Sequence, residues 1–152
     1  MELIPYVEFG RLRAAQFAPA GTPIYESDGY EWMGGFWINE GIHGFTSLSR
    51  HEQTPDETGG LEIDFRELSP ADIEAMLGTI RLPLRPGMTL EEVHAVLGEP
   101  ERTHVFVADR ETYDFTVGSS DLYHVSVTVH ETDGLIHVAV IRKDVLSRCE
   151  GL

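Results

Sequence analysis

The chain has 152 residues, 41% of them hydrophobic, and includes seven Phe, five Tyr and two Trp. This apolar content suffices for one core, so we expect a single domain over residues 1–152. With 26 acidic and 11 basic residues the formal net charge is -15, which argues against nucleic acid as a partner.

The N-terminus is acidic where a secretory signal peptide would be basic, and it has no cysteine suited to lipid attachment. No apolar run approaches the roughly 20 residues that span a bilayer. These features predict a cytoplasmic protein that does not engage a membrane. The only cysteine, Cys149, has no second thiol to pair with, so we interpret it as an ordinary thiol near the chain end.

The first part of the chain, residues 1–66, reads as β-rich. Strands are predicted over 30–38, 42–48 and 61–65, with a turn at 40–41 and a polar loop over 51–60. We expect these strands to join the same fold as the rest of the chain. Its aromatic residues are interpreted either as core or as a small-molecule pocket built from Tyr30, Trp32 and Trp37.

Two similar short helices follow, over 69–78 and 89–98. Each begins with a hydroxyl residue and an acid three positions later, which is typical of a helix N-terminus, and each closes on Leu-Gly. In the second helix Thr89 and Glu92 predict a capping box, and Pro100 forbids continuation. The spacing of the apolar residues gives that helix one buried face, made of Leu90, Val93, Val96 and Leu97.

After Pro100 the hydrophobic period changes to two, which predicts four antiparallel strands. They cover 104–108, 112–117, 123–130 and 135–142. Asp133-Gly134 is typical of a two-residue hairpin, and this turn would set Val129 opposite Val138 and Val127 opposite Val140. In that register His130 lies opposite His137.

The same register gives the meander one apolar face and one polar face. The apolar face, which must meet the helices, carries Tyr123, Val125, Val127, Val129, Ile136, Val138 and Val140. The predicted fold class is therefore α+β: two short helices packed on one face of a four-stranded antiparallel meander, with additional N-terminal strands. The helix-helix-four-strand unit spans 67–143.

The order helix, helix, four strands, with Arg-Pro-Gly-Met-Thr at 85–89 and Leu-Gly-Glu-Pro at 97–100, resembles the repeat unit of the β-lactamase inhibitor protein family. It also resembles the small outer-membrane assembly lipoproteins that share that fold. The resemblance implies that helices cover one sheet face while the opposite, concave face holds a protein partner. This chain shows one such unit where the inhibitor has two, and it lacks the export signal and lipidated cysteine of the lipoproteins.

The histidines raise the question of a metal or catalytic site. His130 and His137, if opposite each other, could share a metal ion with a third ligand such as Asp114 or Glu131. The alternative is that they are polar residues of a solvated or partner-facing sheet surface. His94 is expected on the polar side of its helix. No sequence motif for catalysis or cofactor binding is present, so we predict a protein that is not an enzyme and uses no cofactor.

The leading hypothesis is a non-enzymatic cytoplasmic module that binds another protein, and its specific version is an inhibitor or immunity protein for a basic partner. The polar sheet face would carry the partner-binding residues Asp114, His124, Ser126, Thr128, His130 and His137. The alternative is a small-molecule or metal-binding protein that uses His130 and His137 or the N-terminal aromatic pocket. A homodimer formed through the same surfaces is a further option.

Overall fold

The structure, a computed structural model, describes residues 1–12, 24–26, 35–38, 42–45 and 58–150. The described helices are α1 (Tyr6–Gly10), α2 (Pro70–Thr79), α3 (Leu90–Leu97) and α4 (Lys143–Glu150), with a 3-10 turn at Phe65–Glu67. Within these ranges no helix combines the length and apolar character of a membrane span.

The described strands form one antiparallel sheet, which confirms the α+β class. Its strands are β1 (Ile24–Glu26), β2 (Gly35–Ile38), β3 (Ile42–Phe45), β4 (Gly60–Asp64), β5 (Arg102–Val107), β6 (Arg110–Val117), β7 (Tyr123–His130) and β8 (Gly134–Arg142). The order across the sheet is β1-β2-β3-β4-β8-β7-β6-β5. The N-terminal strands thus extend the sheet beside β8.

The two predicted helices form because their ends are capped as the sequence indicated. The Ser69 hydroxyl accepts the Asp72 N–H at 3.2 Å, and the Thr89 hydroxyl accepts the Glu92 N–H at the same distance. The Glu92 carboxylate returns the bond to the Thr89 N–H at 3.3 Å, which completes the capping box. Gly98 ends α3 with a φ of +84°.

The core lies between these helices and one face of the sheet. Val93 of α3 and Ile73 and Leu77 of α2 are fully or almost fully buried, as are the inward-facing residues of the sheet. The latter include Leu61, Ile63, Phe115, Tyr123, Val125, Val127, Val138 and Val140. Residues of both helices and of the valine face of the meander thus belong to one buried cluster.

The predicted hairpin register between β7 and β8 is wrong by two residues. Val127 pairs with Val138, Val125 with Val140 and Thr128 with His137, while His130 lies opposite Gly134. Three residues rather than two form the turn, because Gly134 already belongs to the strand. Gly134 has a φ of +72° and lies against the Gly87 backbone, so its place is fixed by a tertiary contact.

A β-bulge in β8 corrects the prediction for Ile136. Thr128 pairs with His137 and the next residue of β7 pairs with Leu135, which leaves Ile136 as the extra residue. Leu135 therefore belongs to the core, where it is 1% exposed, and Ile136 points to the opposite face. The face assignment of the other predicted residues is correct.

The N-terminal part contains an element that the sequence did not indicate. Helix α1 packs onto the helix-covered side of the sheet, where the Phe9 and Tyr123 ring centroids are 5.2 Å apart. The Tyr123 hydroxyl donates to the Ile4 carbonyl at 2.6 Å. Strands β2 to β4 occupy parts of the three predicted segments, and β1 was not predicted.

Two sequence-based interpretations lie partly or wholly outside the described residues. Tyr30, Trp32 and most of the polar loop over 51–60 are not among them, so the proposed aromatic pocket has no structural account. Cys149 lies in α4, where only the backbone is described.

Candidate functional site: the polar face of the sheet

The sheet face opposite the helices carries polar side chains in matched rows, and we call it the polar face. One row across β6, β7, β8 and β4 is Asp114, Ser126, Ala139 and Glu62. The next is Thr112, Thr128, His137 and Asp64. The strand pairing thus places Asp114, His124, Ser126, Thr128 and His137 on one surface, with His130, which pairs with Arg110, at the end of the same face.

Asp114 is the centre of a carboxylate–imidazole group. Its Oδ2 lies 2.8 Å from His104 Nε2, and its Oδ1 lies 3.9 Å from His124 Nε2. Burial lowers the pKa of His124, and the nearby Asp114 carboxylate opposes that shift. The Asp114 side chain is only 13% exposed, so its carboxylate contacts these two histidines more than it contacts solvent.

The threonine pair lies one row further along the strands. The hydroxyls of Thr112 and Thr128 bond to each other at 3.0 Å, directly across β6 and β7. His137 lies beside Thr128 in the register, and its Nε2 is 3.9 Å from Glu62 Oε1. This bond uses one of the two hydroxyl protons, so the pair keeps a second hydroxyl proton and its methyl groups for other contacts.

A cavity of about 350 Å³ opens on the polar face at this row, and we call it the face cavity. It is lined by Asp64, Arg66, Val107, Arg110, Thr112, Thr128, Ile136 and His137. The guanidinium of Arg66 pairs with Asp133 at 3.3 Å, and that of Arg110 pairs with Asp109 at 2.8 Å. Both guanidinium groups are thus engaged by carboxylates.

Two bulges bring further apolar side chains to this surface, which already carries Ala139 and Ile141 beside Ser126 and His124. The bulge in β8 turns Ile136 out of the core, and a second irregularity in β5 lies between His104 and Val107. His104 pairs with Thr112 and Val107 pairs with Arg110, so Val107 shares the polar face with them. Without the extra residue in β5, strand alternation would point Val107 to the other side.

His130, the sixth predicted residue, lies at the end of β7 and lines a different cavity. Its Nδ1 accepts the backbone N–H groups of Thr132 and Asp133 at 3.2 and 3.1 Å, which places the ring proton on Nε2. Nε2 is 3.0 Å from Asp109 Oδ2. The imidazole therefore links the β5–β6 turn to the β7–β8 turn through hydrogen bonds.

This second cavity, of about 390 Å³, lies between those two turns and the start of α3, and we call it the turn cavity. Its lining includes Asp109, Arg110, Glu111, Tyr113, His130, Thr132, Thr89 and Leu90. The guanidinium of Arg110, together with His130, holds the pKa of Asp109 well below its usual range. The Tyr113 hydroxyl donates to Glu111, and burial with this bond raises the pKa of Tyr113 to about 12.

The predicted pairing of His130 with His137 is wrong, because their strands are offset by two residues from the expected register. His137 lies opposite Thr128 and contributes to the face cavity, whereas His130 contributes to the turn cavity. Among the described residues, no group of three or more His, Cys, Asp or Glu side chains is placed to hold a metal ion.

Several residues of the two cavities were missed by sequence reasoning. Arg110 lines both cavities, yet Asp109-Arg110 reads only as a turn. Ile136 was assigned to the core face by strand alternation and Val107 was given no face, because a bulge leaves no local signal in the sequence. His94, which is not among the lining residues of either cavity, was expected on the polar side of its helix. Its ring centroid lies 6.3 Å from that of Tyr113 and 6.2 Å from that of Phe115.

Comparison of the chain with protein-family models, with curated proteins and with solved structures finds no match in any of the three. The resemblance to the β-lactamase inhibitor protein family therefore stays a prediction. The fold defines the class of protein: an α+β domain whose antiparallel sheet is covered by helices on one face and carries the face cavity on the other.

Proposed function

We propose that this chain is a non-enzymatic protein-binding module, acting in the cytoplasm, that holds its partner on the polar face of the sheet. The single observation that carries the proposal is the asymmetry of the sheet. Helices α1, α2 and α3 pack on one side, while the other side presents half-buried polar rows around the face cavity. An inhibitor or immunity-type role is the specific form we favour.

Two further features support this proposal. The order α2, α3, β5 to β8 is the order expected of one repeat unit of the β-lactamase inhibitor protein family, in which the open sheet face holds a partner. The net charge of -15 favours a basic partner, because opposite charge accelerates encounter and suppresses like-charged competitors.

Site-specific photocrosslinking tests the proposal. A benzoylphenylalanine at Ser126 or Thr128, in the centre of the polar face, is expected to give one adduct of the same mass in a lysate of the source cells. Excess unlabelled protein should displace it. The matched control is Ala75, which is exposed on α2 at the opposite side of the molecule. Equal adducts from all three positions, or none at low salt, would refute the proposed surface.

A second candidate function, binding of a small polar molecule, is favoured by the turn cavity. Its volume lies within the range of roughly 300–1,000 Å³ that is usual for ligand sites, and charged groups converge on it. Native mass spectrometry of protein purified from its source cells tests this candidate. A bound small molecule that is lost in Arg110→Ala but retained in Ser126→Ala would favour it over the protein-binding proposal.

A further inference from the structure

We propose that the face cavity receives an aromatic side chain of the partner protein, flanked in that partner by lysine or arginine. This inference rests on the proposed protein-binding function and adds the chemistry of the partner. It follows from three properties of the cavity: its apolar lining, its planar cationic walls and the charge around it.

The apolar lining exists because two bulges act at the same place. Val107 is 51% exposed on β5, and Ile136 is 7% exposed and lies outside the core cluster. Each would face the other side of the sheet if its strand were regular. Bulges re-aim side chains and are over-represented at sheet edges and next to active sites.

The rest of the lining adds methyl groups and flat cations. Thr112 and Thr128 bond to each other through their hydroxyls, so they offer a partner one remaining hydroxyl proton together with their methyl groups. Arg66 and Arg110 are held by Asp133 and Asp109 respectively. A guanidinium fixed in this way stacks on an aromatic ring, and an aromatic residue inserted in a pocket with a polar rim is the usual anchor of a protein interface.

The charge around the cavity selects the flanking residues of the partner. Asp64 lines the cavity, Asp109 and Asp133 pair with its arginines, and Glu62 lies beside His137. The lining itself holds one carboxylate and two guanidinium groups, but each guanidinium group is paired with a carboxylate just outside the cavity, and the whole chain carries -15. Lysine or arginine beside the aromatic residue complements that potential, whereas glutamate is repelled.

Methyl NMR on the full chain with three capped tripeptides tests the inference. N-acetyl-Lys-Trp-Lys-amide is expected to shift the methyl signals of Val107 and Ile136 saturably. N-acetyl-Lys-Ala-Lys-amide should leave them unchanged, and N-acetyl-Glu-Trp-Glu-amide should bind several-fold more weakly. Equal binding of the alanine peptide overturns the aromatic anchor, equal binding of the glutamate peptide overturns the basic flanks, and no saturable shift with any peptide overturns both.

A pair of matched variants places the binding in the cavity. Val107→Ser is expected to weaken the binding of the Lys-Trp-Lys peptide about fivefold, because the substitution removes apolar contact area. Val105→Ser is the control: Val105 is 64% exposed on the same strand but does not line the face cavity. Equal effects of the two substitutions would overturn the assignment of the site.

The two proposals can fail separately. If Val107→Ser leaves the photocrosslinked adduct at Ser126 unchanged and the peptides do not bind, the aromatic anchor is wrong and protein binding by the polar face stands. If no position-specific adduct forms at all, the proposed function fails, whatever the peptides do.

Discussion

Gly134 and Gly87 join two chain segments below the turn cavity. The Gly87 N–H donates to the Leu135 carbonyl at 3.1 Å, and the Leu135 N–H donates to the Met88 carbonyl at 2.9 Å. These bonds tie the loop before α3 to the start of β8. A Cβ at Gly134 would lie 2.4 Å from the Gly87 carbonyl oxygen, so the contact has no room for a side chain.

Gly134→Ala is therefore expected to lower the free energy of unfolding by at least about 2 kcal/mol, through the clash and through its positive φ. Urea denaturation measures the change. The control is Gly78→Ala in α2, where a Cβ would meet nothing within 4 Å and alanine should stabilise the helix by about 0.5–1 kcal/mol. Equal stability of the two variants would show that the contact is absent.

His94 carries a buried nitrogen that the helix does not satisfy. Its Nε2 has no hydrogen-bond partner among the described residues, and its ring meets Tyr113 and Phe115 edge to face. Leaving a buried polar atom unpaired costs on the order of 1–3 kcal/mol. The environment is therefore more suitable for an apolar side chain.

We expect His94→Leu to raise the free energy of unfolding by about 1 kcal/mol, because it removes that cost while filling a similar volume. Urea denaturation again provides the measurement, with Ala95→Leu as the control on the exposed side of α3. A loss of stability in His94→Leu larger than in the control would indicate that the imidazole has a partner after all.

At the scale of elements, helix α1 closes one end of the core. Phe9 is fully buried against Tyr123, and the Ile4 N–H donates to the Ile80 carbonyl at 3.3 Å, next to the end of α2. Arg142 lies over the Tyr6 ring with its guanidinium carbon 4.6 Å from the ring centroid. This short helix is held by tertiary contacts, since its five residues would not be stable alone.

Phe9→Ala is expected to lower the free energy of unfolding by about 3–5 kcal/mol, as is usual for a buried phenylalanine. Val7→Ala in the same helix, where Val7 is 64% exposed, should change it by less than about 0.5 kcal/mol. Thermal or urea denaturation of the two variants compares them. Similar small effects would mean that α1 does not contribute to the core.

Some of the helices and strands could be predicted from local sequence patterns, and others could not. The capped helices α2 and α3 and the valine face of β7 were predictable, because caps and alternation depend on neighbouring residues. The register of β7 with β8 was not, since it depends on the contact of Gly134 with the backbone of Gly87, which is distant in sequence. Helix α1 was missed because it is too short for a helical period to appear.

At the scale of the whole molecule, buried tyrosines link stability to alkaline pH. Burial raises the pKa of Tyr123 above its ordinary value and, with the hydrogen bond to Glu111, that of Tyr113 to about 12. The unfolded chain loses these protons near pH 10, while the folded chain keeps them. The contribution of these tyrosines to the free energy of unfolding is therefore fully present below pH ~10. It is lost as the pH rises towards the pKa values of the folded protein.

The free energy of unfolding should accordingly fall between about pH 10 and pH 12, and Tyr113→Phe should make that fall less steep. Urea denaturation across this range gives the slope, and absorbance near 295 nm follows phenolate formation in the folded protein. An unchanged slope in Tyr113→Phe, or early phenolate formation in the native protein, would contradict the burial of this hydroxyl.

The sequence by itself determined the capped helices, the alternating strands and the acidic charge, because each depends on residue type and short-range spacing. It also placed Asp114, His124, Ser126, Thr128 and His137 on one face of the sheet. Only the tertiary structure decided that Ile136 and Val107 join that face and that His130, at the end of it, lines the turn cavity and not the face cavity. The physical reason is that bulges and strand register are set by contacts between distant segments, where one shifted residue reverses the side of every side chain beyond it.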